Sequence, residues 1–134
     1  MELTGGCQCG AVRYRLTGDP AYTALCHCGD CRKSAGAPVV HWTCFPAASF
    51  ELLQGELREY RSSELATRSF CPVCGTGIHY RNETNLPGLI DVQGGTLDDP
   101  DQLPPQIHVQ ATDRLAFMVT AHELPAFDRY PSAP

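Results

Sequence analysis

The stretch "TRSFCPVCGTGIHYRN", residues 67–82, reads as a strand, a tight turn over Cys71–Gly75 and a second strand. Two cysteines three positions apart in such a turn aim both sulfurs at one point. Gly75, directly after the second cysteine, permits a positive φ, and the turn amides can then donate to the sulfurs.

Working outward, "GAVRYRLTG" alternates Val12, Tyr14 and Leu16 with Arg13 and Arg15, the pattern of a half-buried strand. "PVVHWTCF" is β-branched and aromatic. On a two-residue period Val40, Trp42 and Cys44 share one face, while Val39, His41, Thr43 and Phe45 share the other. "FELLQG" and "ELREYRS" are strand-length runs split by Gly55, which predicts a hairpin. "LIDVQGG" is a further strand, and "IHVQA" and "RLAFMV" are expected as late strands. "LDDPDQLPPQ" is a loop of turn residues, and the tail "LPAFDRYPSAP" is proline-broken and expected to lie extended. The helix signal is short, Gly29 to Ser34, ending near Gly36 and Pro38. The fold class expected is mainly β, one domain over residues 1–134 with short helical turns.

A chain of 134 residues can bury a real apolar core, so cross-links are not forced by small size. The formal net charge is −5, and nine of the ten basic residues are Arg, with Lys33 the exception. No basic run marks a nucleic-acid footprint. The N-terminus lacks the basic and apolar regions of a signal peptide, and no apolar stretch approaches membrane-spanning length. A cytoplasmic location is therefore expected. In a reducing compartment eight cysteines are not a disulfide framework.

Seven of the cysteines fall into three groups: Cys7-x-Cys9, Cys26-x-Cys28-x-x-Cys31 and Cys71-x-x-Cys74. The last is a zinc knuckle by spacing, and a knuckle supplies half of a tetrahedral site. Cys7-x-Cys9, flanked by Gly5, Gly6 and Gly10, can supply the other half. An iron–sulfur cluster fits less well, because the spacings differ from ferredoxin patterns. Cys26, Cys28 and Cys31 are then left without a partner pair. Three protein ligands with one position open is the arrangement of a catalytic zinc, whereas recruitment of Cys44 would close a second structural site. Three thiolates outweigh the double charge of zinc, which suits the site to a soft ligand more than to water activation. A substrate thiol entering there loses its proton and becomes a positioned nucleophile.

"GGCQCGAVRY", "CHCGDCRKSAGAP" and "FCPVCGTGIHYR" together resemble the three signature blocks of the glutathione-dependent formaldehyde-activating enzyme family, shared with centromere protein V. "IDVQGGTLDDPDQLPPQIHV" resembles its C-terminal block, so the likeness runs from about Gly5 to Phe117 and leaves an extended tail. It implies a single-domain Mss4-like zinc-binding β fold with up to two zincs. It also implies a structural zinc on Cys7, Cys9, Cys71 and Cys74 and a second, open zinc on Cys26, Cys28 and Cys31. The implied activity is that of a carbon–sulfur lyase, forming S-hydroxymethylglutathione from glutathione and formaldehyde. The chain departs from the family at His108-Val109-Gln110, where many members have His-x-Trp, at Ala116-Phe117, where they have Pro-Trp, and at Gln8, where they often have His.

The expected partners are a small thiol such as glutathione and a small aldehyde, with no nucleic acid and no membrane. Arg32 and Lys33 directly follow the triplet and are candidates to meet substrate carboxylates. His108 is a candidate to orient substrate or move a proton. The competing function is a non-catalytic, zinc-stabilised binding or scaffold module, in which no position on the second zinc exchanges. A weaker third reading is a labile redox- or zinc-sensing site.

Overall fold

The fold was derived from a computed structural model that describes residues 1–131, so the last three residues of the expected extended tail lie outside the described part. Two sheets and one short helix make up the domain. The smaller sheet has the order β1-β2-β5, with β1 at Glu2–Gly6, β2 at Arg13–Thr17 and β5 at Phe50–Gln54. The larger has seven strands in the order β10-β3-β4-β9-β8-β7-β6. Its members are β3 (Tyr22–Cys26), β4 (Val40–Pro46), β6 (Arg58–Arg61), β7 (Thr67–Phe70), β8 (Gly77–Arg81), β9 (Leu89–Gln93) and β10 (Ile107–Val109). Every neighbour is antiparallel except β10, which lies parallel to β3.

The main core lies between the small sheet and one face of the large one. Val12, Tyr14 and Leu16 of the alternating stretch are fully buried there, beside Phe45, Ile78, Ile90 and Val92. Burial of such side chains stabilises by roughly 1.5–3 kcal/mol each. Tyr14 reaches across under Gly5, where a Cβ would overlap the phenol, and its hydroxyl sits 2.7 Å from Thr96 Oγ1. Strand β4 is central and buried on both faces, as its unbroken apolar run requires. Phe45 enters the main core, whereas Val40 and Trp42 join a second cluster with Cys26 and Cys31 on the far face. Helix α1, Gly29–Ala35, closes that far face and buries only Cys31. Its N-cap is Cys28, and it stops at Gly36, where φ is 64°.

Two expectations require correction. Gly55 does not join a hairpin: β5 pairs with β2 in the small sheet, whereas β6 pairs with β7 in the large one. The glycine, at φ 83°, instead passes the chain between sheets, tightly against the Ala11 carbonyl. "RLAFMV" is not a strand either. Ala116–Val119 forms a 3-10 turn, with Phe117 and Val119 exposed and no neighbouring strand to pair with. Strands β1 and β3 carry no clear sequence signal. Glu2–Gly6 ends in two glycines, yet it pairs along its whole length with β2.

No described helix is long and apolar enough to cross a membrane.

Gly55→Ala is expected to lower unfolding stability by at least about 1–3 kcal/mol, because it combines a left-handed φ with backbone overlap. Gly95→Ala, which meets nothing within 4 Å, is expected to stay within about 0.5 kcal/mol of wild type. Urea unfolding of the two variants checks this, and equal losses would remove the role given to Gly55.

Candidate metal centres and the cavity beside the triplet

The knuckle forms as its residues dictate. Strands β7 and β8 deliver the chain into Cys71–Gly75, Gly75 takes φ 82°, and its amide donates to the Cys71 carbonyl at 2.8 Å. Amides then converge on the sulfurs: Val73 and Cys74 donate to Cys71 Sγ at 3.4 and 3.5 Å, and Val12 donates to Cys7 Sγ at 3.2 Å. Donors aimed at sulfur favour the thiolate. Thr76, hydroxyl and amide alike, pulls the Cys74 thiol down to about 5.

The turn between β1 and β2 brings Cys7 and Cys9 to the same point, so Cys7, Cys9, Cys71 and Cys74 lie with all sulfurs within 4.8 Å of one another. Cys7 and Cys9 sulfurs are 3.6 Å apart and Cys9 and Cys71 sulfurs 3.8 Å. A tetrahedral zinc with bonds of about 2.3 Å places its sulfurs about 3.8 Å apart, whereas a disulfide needs about 2.05 Å. All eight cysteines are free, and the spacing fits a tetrahedral metal.

The second group forms on the other face of the large sheet. Cys26 ends β3, Cys28 caps α1 and Cys31 lies in its first turn, and their sulfurs also fall within 4.8 Å of one another. The Cys31 amide donates to Cys28 Sγ at 3.3 Å. The Cys26 thiol above all, with Cys28, Arg68 and Trp42, draws the Cys31 thiol down to about 5 against the opposing effect of burial. Among the described residues no other His, Cys, Asp or Glu ligand atom joins either group. Cys44 is fully buried on the same sheet face as Trp42, but it stands beside Tyr22 and Asp91 and not with the triplet. Burial there pushes its thiol up to about 12.

The triplet opens onto a cavity of about 530 Å³ lined by Tyr22, Trp42, Arg68, Tyr80 and Asp91 among others. A second cavity of about 590 Å³ adjoins it and shares Asp30, Trp42 and Arg68. Both volumes lie within the range of small-molecule sites, roughly 300–1,000 Å³. One cross-strand row supplies part of the lining. Tyr22, Cys44, Asp91, Tyr80, Arg68 and Tyr60 are consecutive register partners across β3, β4, β9, β8, β7 and β6. Arg68 lies over the Tyr80 ring at 4.9 Å and donates to Cys31 Sγ at 3.8 Å.

The other candidates separate. Lys33 lines the 590 Å³ cavity. Arg32 turns back, its Nε donating to the His27 carbonyl at 3.3 Å. His108 is not part of either cavity's lining and meets His27, Nδ1 to Nε2, at 2.8 Å. His27 is 1% exposed and points away from its two cysteine neighbours, while its amide donates to Val109. Sequence reasoning missed Arg68, Tyr80, Tyr22 and Asp91. Only Asp91 had a signal, as an acid inside an otherwise apolar strand.

Comparison with known proteins follows the same lines. The family model described as glutathione-dependent formaldehyde-activating enzyme matches residues 2–113. An uncharacterized lyase of Schizosaccharomyces pombe is 29% identical over 79 residues, covering 59% of this chain but only 57% of that protein. A Halomonas elongata protein, provisionally named a glutathione-dependent formaldehyde-activating enzyme, is 27% identical over 129 residues, covering 85% and 78% of the two chains. The crystal structure of a Rhodobacter sphaeroides protein superposes with a TM-score of 0.63 at 23% identity, over 80% of this chain and 100% of that one, a likeness of fold. With the family model spanning the small sheet, the knuckle, the triplet and strand β10, the chain belongs to the glutathione-dependent formaldehyde-activating enzyme family.

Proposed function

We propose that the protein is a zinc-dependent enzyme of the carbon–sulfur lyase type, in which a glutathione-like thiol adds to a small aldehyde such as formaldehyde. The observation that carries this reading is the triplet: three thiols with no fourth ligand among the described residues, open to a cavity of about 530 Å³. Cys7, Cys9, Cys71 and Cys74 would hold a structural zinc, their four sulfurs leaving no position for a substrate. Cys26, Cys28 and Cys31 would hold a second zinc, which when bound would offer one exchangeable position to a soft ligand such as a thiol.

The chain's own residues do the rest. Arg68 supports the negative charge on Cys31, and its place over Tyr80 keeps it there. Trp42 and Tyr80, with ring centroids 6.1 Å apart, form an aromatic wall of the cavity beside the triplet. Lys33, on the adjoining cavity, meets a carboxylate of the thiol substrate. Arg32 and His108 act one step back, securing the His27 backbone and ring and hence the loop that carries the triplet. The reaction needs no redox step: the carbon–sulfur bond forms as the carbonyl π pair moves to oxygen. The site's work is to raise the thiolate fraction and hold it near the carbonyl carbon. The acidic balance of the chain and its lack of a basic run leave nucleic acid outside this reading.

Three measurements test it. Under a graded chelator the triplet zinc is expected to leave first with the fold retained, and the four-thiol zinc to leave only with unfolding. Metal analysis alongside circular dichroism follows both, and one-step loss with unfolding would favour the scaffold reading. Cys44→Ser is expected to keep the full zinc content, because Cys44 stands beside Tyr22 and Asp91 and not with the triplet. Loss of one zinc would make Cys44 the closing ligand. Cys28→Ala is expected to stay folded with one zinc and to lose thiol-dependent turnover above the spontaneous background. Undiminished turnover in that variant would end the catalytic reading.

A further inference from the structure

Granting thiol addition at the triplet, on which this assignment rests, we propose that Asp91 is the proton acceptor and donor of the site. It takes the proton that the incoming thiol gives up and returns it to the aldehyde oxygen.

Asp91 sits in the middle of β9 between Ile90 and Val92, both core residues. It is 7% exposed and lines the same cavity as Cys26, Cys28 and Cys31. Among the described residues its Oδ1 is buried without a hydrogen-bond partner, the Cys44 thiol is the polar group beside the carboxyl on β4, and no ion pair includes it. A buried carboxylate left in this state costs stability that an apolar side chain would not. Such a group, placed in a cavity beside reactive thiols, is a candidate for chemistry.

The neighbours on every packed strand leave the task to Asp91. Tyr22 on β3 and Cys44 on β4 are both held protonated, by burial first and then by the nearby Asp91 charge. Neither has a lone acid–base vacancy to offer near neutrality. Tyr80 on β8 has its hydroxyl engaged by Asn82 Nδ2 at 3.1 Å. Arg68 on β7 is a permanent cation engaged with Cys31. Asp30 lines the cavity too, but it is exposed at the first turn of α1. Burial pushes the Asp91 carboxyl up to about 6, close to the range in which a group can both accept and return a proton near neutrality.

The step balances without a co-reactant. The thiol S–H bond breaks and its proton passes to the Asp91 carboxylate. The thiolate sulfur bonds to the aldehyde carbon, and the carbonyl π pair moves to oxygen. That oxygen takes the proton from Asp91, which regenerates the carboxylate. Nothing is oxidised or reduced, and the reverse sequence releases aldehyde and thiol.

The test uses the zinc-loaded protein and glutathione without aldehyde. Calorimetric titration in two buffers of different ionisation enthalpy counts protons released per thiol bound. Wild type is expected to release close to one proton fewer than Asp91→Asn, because the carboxylate retains it. Infrared difference spectra of wild type are expected to gain the band of a protonated carboxyl on thiol binding, and this holds the test open should the variant fail to fold. In turnover, Asp91→Asn is expected to fall by roughly 10²-fold or more. Equal proton release by both proteins, or no carboxyl band in wild type, overturns the role of Asp91 and leaves thiol addition standing. Failure of glutathione and other small thiols to bind wild type at all overturns thiol addition, and the role of Asp91 with it.

Discussion

Four sulfur atoms join the small sheet to the large one. Cys7 and Cys9 hang from the β1–β2 turn, Cys71 and Cys74 from the β7–β8 turn, and the sulfurs meet within 4.8 Å. Four thiolates at that spacing repel one another, so the junction holds as charged groups only around a cation. It brings together residues more than sixty positions apart, so forming it carries the entropy cost of closing a long loop. The apolar core between the sheets is packed under this clasp: Cys7, Cys71, Val12, Tyr14 and Ile78 belong to one cluster. The small sheet has only three strands, and the clasp with that cluster fixes its position over the large one.

The triplet follows a different logic. Its three thiols come from six consecutive residues, so local geometry alone brings them near one another. What the tertiary fold adds is the surroundings. The far face of the large sheet supplies Trp42, Tyr80 and Arg68, and α1 lays Cys31 over them. The two sulfur groups share no residue and lie on elements with different neighbours.

Much of this was legible in the chain because it is local. The knuckle, the alternation of Val12, Tyr14 and Leu16, the two faces of β4 and the helix after the triplet all depend on spacings of a few residues. The grouping of Cys7 and Cys9 with the knuckle was legible for another reason: half of a tetrahedral site calls for a second pair, wherever in the chain it lies. The hairpin expected at Gly55 fails because a turn signal says that the chain bends but not which strand it meets next. The cavity wall was illegible on the same ground. Tyr22, Asp91, Tyr80 and Arg68 are neighbours only through the register of four separate pairings, and register is a property of the assembled sheet. Arg32 shows the converse. Adjacency to Cys31 in sequence suggested a role in the pocket, but one residue further around the helix its guanidinium meets the His27 carbonyl instead.

Trp42 is the only tryptophan in the chain, and it lines both cavities while packing against Cys26 and Cys31. Its indole is 5% exposed, so its emission is governed by the cavity and the sulfurs more than by bulk water. The protein therefore carries a built-in optical reporter of this site, and a change of occupant on the triplet side is visible without any label. The four-sulfur clasp, in the other cluster, lies among residues that include no tryptophan. Light absorbed at the red edge of the protein spectrum thus reads out one of the two sulfur centres selectively.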